Sequence, residues 1–314
     1  MDKKILEITI YHTLPNGGVF CLNWNMELRY FDSHTHAHFP AYGTEQDAVA
    51  ARAAAIGVGM ITVGTRKDTS AAAVAFAERH ENVWAAVGVH PGHAIESFHD
   101  KDELGAPTEP NRKALGESFN KSFFSELAES EKVVAVGECG LDYFRLAEDE
   151  EKRETQKRKQ REEFIAQLHF ARDIGKPLMI HCRDAYRDLA EILAENRMEH
   201  TEHPGIIHFF SGSEEEAKPF LDMGFYFTFG GAITFPQKKG GADYASLIKM
   251  MPVERILSET DAPWVAPVPY RGTRNEAAYV VEVVKKIAEI RGISEDIIRK
   301  KILENTIVAF NVRI

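Results

Sequence analysis

Cysteine is scarce: only Cys21, Cys139 and Cys182 occur among 314 residues. Three thiols cannot all pair, and their spacing matches neither a disulfide framework nor a thiolate zinc site. An excess of cationic residues is missing as well. Lys and Arg number 38 against 48 Asp and Glu, for a net charge of −10. The chain therefore has no global basic footprint for nucleic acid, and a polyanionic substrate would need local positive charge or metal ions. No apolar run is long enough to span a bilayer, which predicts no membrane partner. The opening MDKKILEITIYHTL has an acid inside its short apolar run and no small-residue cleavage site, so no signal peptide is expected. A reducing cytoplasm is the expected setting. What remains is ordinary globular material, 44% hydrophobic and 27% charged, enough for one large α/β domain or two modest ones.

Short apolar runs recur between longer helical patterns. Strands are predicted at 29–35, 59–64, 82–89, 132–138, 177–181, 205–210, 225–230 and 255–260. Helices are predicted near 44–57, 67–81, 118–131, 153–175, 184–197, 213–223 and 242–251, with two more near 275–291 and 294–304. Regular alternation implies a parallel sheet, and eight units over about 250 residues imply closure into a (β/α)8 TIM barrel. A doubly wound open sheet is the alternative, but it would normally carry a glycine-rich first turn, and none follows residue 36.

Two segments stand outside the repeat. Residues 5–24 read as a β-hairpin, ITIYHT and VFCLNW about PNGG, which makes 1–28 an N-terminal extension and 29–314 the barrel. The hairpin could plug the barrel bottom or mediate an oligomer contact, and the sequence leaves the oligomeric state open. The stretch 92–117 is polar and broken by Gly and Pro; it follows strand three and reads as a flap or as a plain surface insertion.

The stretch DSHTHAHF, residues 32–39, puts Asp32, His34, His36 and His38 on one face if the chain stays extended. In the barrel reading, the carboxyl ends of the strands then carry His34 and His36 (strand one), His90 (three), Glu138 (four), His181 (five) and His208 (six), with Asp261 just past strand eight. Barrel sites are built at that rim, and gathered histidines and carboxylates chelate divalent ions. Each alone has a plainer reading: a wet strand edge, a surface acid, a core histidine on a carbonyl. Their placement together at one rim favours metal. His12, His80, His169, His200 and His203 fall in the hairpin, helices or turns and read as structural or solvated, and His93 and His99 as flap residues.

The motifs DSHTHAHF, GVHP, GECGLDYF, HCRDA, HFFSG, ETDAPW and RGTRNE, in this order, resemble the TatD family of metal-dependent deoxyribonucleases, within the amidohydrolase-type barrels. The resemblance runs from about residue 30 to the C-terminus. It implies hydrolysis of DNA phosphodiesters, with 3′–5′ exonuclease action. It also implies two divalent metal ions, Mg, Mn or Zn: one on His34, His36 and Asp261, a second on His181 and His208, and Glu138 bridging. The family usually has Cys where Phe209 stands, and Pro where Ala277 stands.

Asp261 is the candidate general base, although an Asp before Ala-Pro also suits a helix cap. His90 is expected to face the site, contacting substrate or a ligand. Arg183 and Arg274 are candidates for phosphate contacts or else for helix-start ion pairs, and Asp142 and Tyr143 are expected to line the pocket. Asp32 is expected to orient a ligand, and His38 to lie in a loop or behind the ligands. The run EEKRETQKRKQREEF, 150–164, reads as a solvated helix with internal ion pairs. A hydrolase of a small ester or amide is the competing function, because one barrel serves many substrates. A non-enzymatic metal-binding protein is disfavoured by the intact ligand positions.

Overall fold

The computed structural model describes residues 6–13, 19–26, 28–95, 116–198, 202–237 and 240–312. Strands β1 (Leu6–Thr13) and β2 (Val19–Met26) form a two-stranded antiparallel sheet, with Leu6 opposite Met26 and Thr13 opposite Val19. The expected PNGG turn lies outside the described residues, as do most of the 92–117 insertion, His99 and His200.

Eight further strands alternate with helices, as the sequence predicts. They are β3 (Tyr30–Thr35), β4 (Val58–Val63), β5 (Val83–Val87), β6 (Val133–Asp142), β7 (Leu178–Arg183), β8 (Gly205–Ile207), β9 (Tyr226–Phe229) and β10 (Ile256–Ser258). All neighbours pair in parallel, in sequence order from β3 to β10. Polar groups close the remaining gap between β10 and β3. Ser258 donates to the Phe31 carbonyl at 2.9 Å, the Asp261 N–H to His34 O at 3.0 Å, and the His36 N–H to Ala262 O at 2.8 Å. The buried Asp32 carboxylate takes the Thr260 N–H at 2.9 Å and the Thr260 hydroxyl. Asp32 thus fastens backbone across the seam, and its Oδ1 also accepts the N–H of His34, an expected ligand, at 3.3 Å. The fold is a (β/α)8 barrel.

The helices are α1 (Gln46–Ala55), α2 (Lys67–Glu78), α3 (Pro91–Ala94), α4 (Lys121–Leu127), α5 (Glu150–Asp173), α6 (Tyr186–Glu195), α7 (Glu214–Asp222), α8 (Tyr244–Met250), α9 (Val280–Arg291) and α10 (Glu295–Phe310). Several start on side-chain caps that satisfy amide donors: Asn120 for α4, Asp149 for α5, Ser213 for α7 and Asp243 for α8. The charged helix α5 carries internal ion pairs, Arg153 with Glu150, Lys157 with Glu154 and Lys159 with Glu163, and also pairs outward, Arg161 with Asp188 and Asp173 with Lys121.

The barrel interior is filled low down by Phe31, Ile61, Trp84, Val134, Met179, Ile206, Tyr226 and Leu257, one from each strand. Burying each of the larger ones is worth about 1.5–3 kcal/mol. Ala309, Phe310 and Val312 belong to the same cluster, so the end of α10 closes the strand starts. Asn305 ties α10 to the carbonyls of Val253 and Ile256, at the foot of β10. Among the described residues, no helix is long and apolar enough to cross a membrane.

Candidate metal centre

Above the apolar layer the inward rows turn polar. A period of two along a strand carries Met179 to His181, Ile206 to His208, Tyr226 to Thr228 and Leu257 to Glu259. Strand β3 breaks that alternation. Its register against β4 shifts between Asp32 and Thr35, so Phe31 and His34, three apart, both face inward. Strand β6 shifts too, between Val136 and Cys139, and continues to Asp142 beside Arg183 of β7. Strand β8 is shorter than expected because the chain turns out of the sheet at Phe209, whose φ is 47°. His208 therefore sits at the first position past the strand.

These irregularities converge on Glu138. Its Oε1 lies 3.0 Å from His181 Nδ1, 3.1 Å from His208 Nε2 and 3.6 Å from His90 Nε2. Its Oε2 lies 3.5 Å from His34 Nε2 and 3.8 Å from His36 Nε2. Asp261 Oδ1 approaches His34 Nε2 at 3.7 Å and His36 Nε2 at 3.6 Å. Asp261 is held at a φ of 54°, a strained setting for a non-glycine residue of the kind that gathers at functional sites. Two groups able to hold a metal ion, His34–His36–Glu138 and Glu138–His181–His208, share this one carboxylate.

The donor chemistry fits a cation. His36 Nδ1 lies 2.7 Å from the Val63 carbonyl, which can only accept, so Nδ1 carries the proton and Nε2 presents a lone pair. That lone pair faces His34 Nε2 at 3.2 Å, amid carboxylate oxygens that are themselves acceptors. His208 and His181 are backed differently, each by an acid. His208 Nδ1 is 3.3 Å from Glu259 Oε2, which also accepts from the Thr228 hydroxyl. His181 Nε2 is 3.0 Å from Asp142 Oδ2.

Electrostatics follow from this packing. Burial works against ionisation of Glu138, but the surrounding histidines, His90, His208 and His34 foremost, outweigh it and hold its carboxyl well below the usual range. Asp261 is lowered in the same way, against burial, by the His36 hydrogen bond and the charges of His208 and His34. Burial would lower His208 and His181, yet the charge of Glu259 and the Asp142 hydrogen bond respectively, each joined by Glu138, raise both. His34 is lowered by burial and by His208 stacked on it. His90 is pushed down to about 3, chiefly by burial. A metal held here would displace the protons of His181 and His208, so its affinity weakens as pH falls.

The other expected site residues divide. Asp142 joins the cluster. His90 caps α3, where its Nδ1 accepts from Gly92 and its Nε2 is turned to Glu138. His93 is a correction: it is buried in α3 with its ring 6.0 Å from that of His90, so it supports the site wall and is no flap residue. His38 is buried behind the ligands, its Nδ1 2.7 Å from the Thr62 hydroxyl. Tyr143 turns its hydroxyl to Asp188 and Arg161, away from the cluster, because that pair satisfies it. Arg274 pairs with Glu45 and the Ala41 carbonyl over the Tyr42 ring, which is the ion-pair alternative. Arg183 stays exposed at the mouth.

Sequence reasoning missed several supports. Glu259 could have been found, because it shares the inward row of Leu257. Gln160 and Gln167, two turns apart on α5, clamp the backbone of Asp142 and Val89 respectively, and thereby the β6 end and the His90 loop. Asn275, next to Arg274, is fully buried and donates to the carbonyls of Thr260 and Trp264, which flank Asp261. Asn275→Ala strands both carbonyls, at about 1–3 kcal/mol each. Thermal unfolding should show a clear drop in stability; an unchanged midpoint would contradict this role for Asn275.

A (β/α)8 barrel with such a cluster at its carboxyl rim defines a metal-dependent hydrolase. The profile described as TatD related DNase matches residues 31–311, and the chain belongs to that family. It is 34% identical over 283 residues to YabD of Bacillus subtilis, described as an uncharacterized metal-dependent hydrolase, covering 90% of this chain and 99% of that one. It is 32% identical over 270 residues to the 3′-5′ ssDNA/RNA exonuclease TatD of Enterobacter lignolyticus, covering 83% and 91% respectively. Among solved structures, the TatD homologue YjjV of Escherichia coli K12 superposes with a TM-score of 0.75 at 29% identity, over 91% of this chain and 99% of that one.

Proposed function

We propose that the protein is a deoxyribonuclease that shortens DNA from the 3′ end, using two divalent ions. His34, His36 and Asp261 would hold one ion, His181 and His208 the other, with Glu138 shared between them. One observation carries this reading: the two oxygens of Glu138 face two separate pairs of imidazole nitrogens, at 3.0–3.1 Å and 3.5–3.8 Å. The exonuclease relative supplies the substrate class. Bound there, two ions would acidify a water and neutralise the charge on the phosphate oxygens. Imidazole-rich donors suit zinc or manganese, and magnesium also serves phosphate chemistry.

The protein's own groups do the rest. Asp261, the ligand with its side chain 20% exposed to the mouth, accepts the proton of the attacking water on its carboxylate. The Asp261 N–H bond to His34 O fixes that carboxylate over the histidine pair. Asp142 and Glu259 hold the His181 and His208 rings in the ligating orientation. The free thiols Cys139 and Cys182, both buried, suit the cytoplasmic setting we propose with this activity.

A 5′-labelled single-stranded oligonucleotide, incubated with Mg, Mn or Zn, should give a ladder shortening from the 3′ end that a chelator abolishes. Intact DNA under every metal would overturn the reading in favour of a small ester or amide substrate. Glu259→Gln, which keeps the shape and drops the charge behind His208, should weaken binding of one ion by about 10–100-fold. Competition with a chromophoric chelator reads this directly, and equal affinities would remove Glu259 from the site.

A further inference from the structure

Phe144 is the most exposed phenylalanine among the described residues, at 55%. The Arg183 guanidinium lies over its ring, 3.5 Å from the centroid. Arg183 pairs with no carboxylate among the described residues, although the chain carries a surplus of acids. A cation thus lies over the Phe144 ring while more than half of the residue stays exposed. An exposed phenylalanine alone is unremarkable on a protein surface. Here its position gives it meaning. Asp142 Oδ2 meets His181 Nε2, and Asp142 Oδ1 accepts the Phe144 N–H at 3.0 Å. One carboxylate therefore ties the Phe144 backbone to the metal-ligand cluster. Two residues of chain place the Phe144 backbone within about 7 Å of that of Asp142.

We propose that Phe144 and Arg183 form the platform that receives the terminal base of a single-stranded nucleic acid, next to the site where its phosphodiester is cleaved. This inference rests on the nuclease reading above and names how that site selects its substrate. Unstacked bases dock on aromatic rings and guanidinium planes, and the contact tolerates any base because each has a π-face. Arg183 also keeps N–H donors at the edge of its stacked plane for phosphate oxygens. A base paired within a duplex has its faces occupied by neighbours, so the platform favours frayed or single-stranded ends.

The test uses two 5′-labelled single strands that differ only at the 3′ nucleotide, one bearing thymine and one abasic. They are digested by wild type, Phe144→Ala and Phe144→Trp. Loss of one stacking contact corresponds to about a 5- to 150-fold rise in KM. Phe144→Ala should show that rise on the thymine end, with a much smaller one on the abasic end and kcat little affected, and Phe144→Trp should restore KM. Equal changes on both ends, no change on either, or no rescue by Trp would overturn the platform while leaving the nuclease reading intact. If wild type leaves both strands whole under every metal, the nuclease reading falls and the platform falls with it.

Discussion

Glu138→Gln should abolish DNA hydrolysis and empty the metal centre. Glutamine keeps the volume of glutamate but removes the charge and presents an N–H₂ to one of the two imidazole pairs. Glu138 lies within 3.0–3.8 Å of nitrogens on five histidines. Asp261 also groups with His34 and His208, but among the described residues Glu138 alone belongs to both the His34–His36 and the His181–His208 groups. Ions of the same charge held close together repel one another, so removing the carboxylate between them costs affinity at both. Charge stabilisation by such a centre is worth several kcal/mol, so a loss of about 10³-fold or more in kcat/KM is expected. Elemental analysis after reconstitution should find fewer ions in the variant than in wild type. Full occupancy with full activity would contradict the bridging role. The folded barrel should survive, because Glu138 sits above the apolar layer and is no part of it.

Asp261→Asn should separate binding from turnover. The amide oxygen can still ligate an ion held by His34 and His36, so part of the metal affinity remains. It cannot take a proton from water. A positioned general base contributes about 10²–10⁴-fold, and the loss should fall on kcat with KM little altered. The backbone of residue 261 stays pinned by its N–H bond to His34 O and by Asn275 on the flanking carbonyls, so the effect reports on chemistry more than on folding. A variant with normal kcat would exclude Asp261 as the base. Loss of the ion held by His34 and His36, with KM rising and kcat intact, would make Asp261 a ligand alone.

The architecture was legible because strand runs such as PLMIH and GIIHFF are apolar, short and spaced by amphipathic segments, and all eight barrel strands fall where those runs lie. Strand ends were less legible because long-range partners set them. Strand β6 runs four residues past Glu138 because β7 continues beside it, whereas β8 stops at Ile207 because Phe209 turns away. In the centre, the residues gathered around Glu138 were visible as polar side chains ending apolar strands. Which residues support them was mostly hidden. Asn275, Gln160 and Gln167 act on backbone groups that their own sequence surroundings do not mark, and of the two readings of Arg274, phosphate contact or ion pair, the sequence could not choose the one that Glu45 supplies. The even spacing of DSHTHAHF also misled in part. A register shift in β3 orients His34, and Asp32 serves the barrel seam.

Anomalous scattering from crystals of the manganese-loaded protein tests the two-ion centre most directly. Two peaks about 3.5–4 Å apart are expected on either side of the Glu138 carboxylate. One should lie in reach of His34, His36 and Asp261, the other in reach of His181 and His208. A single peak, or peaks away from Glu138, would contradict the bridged two-ion centre.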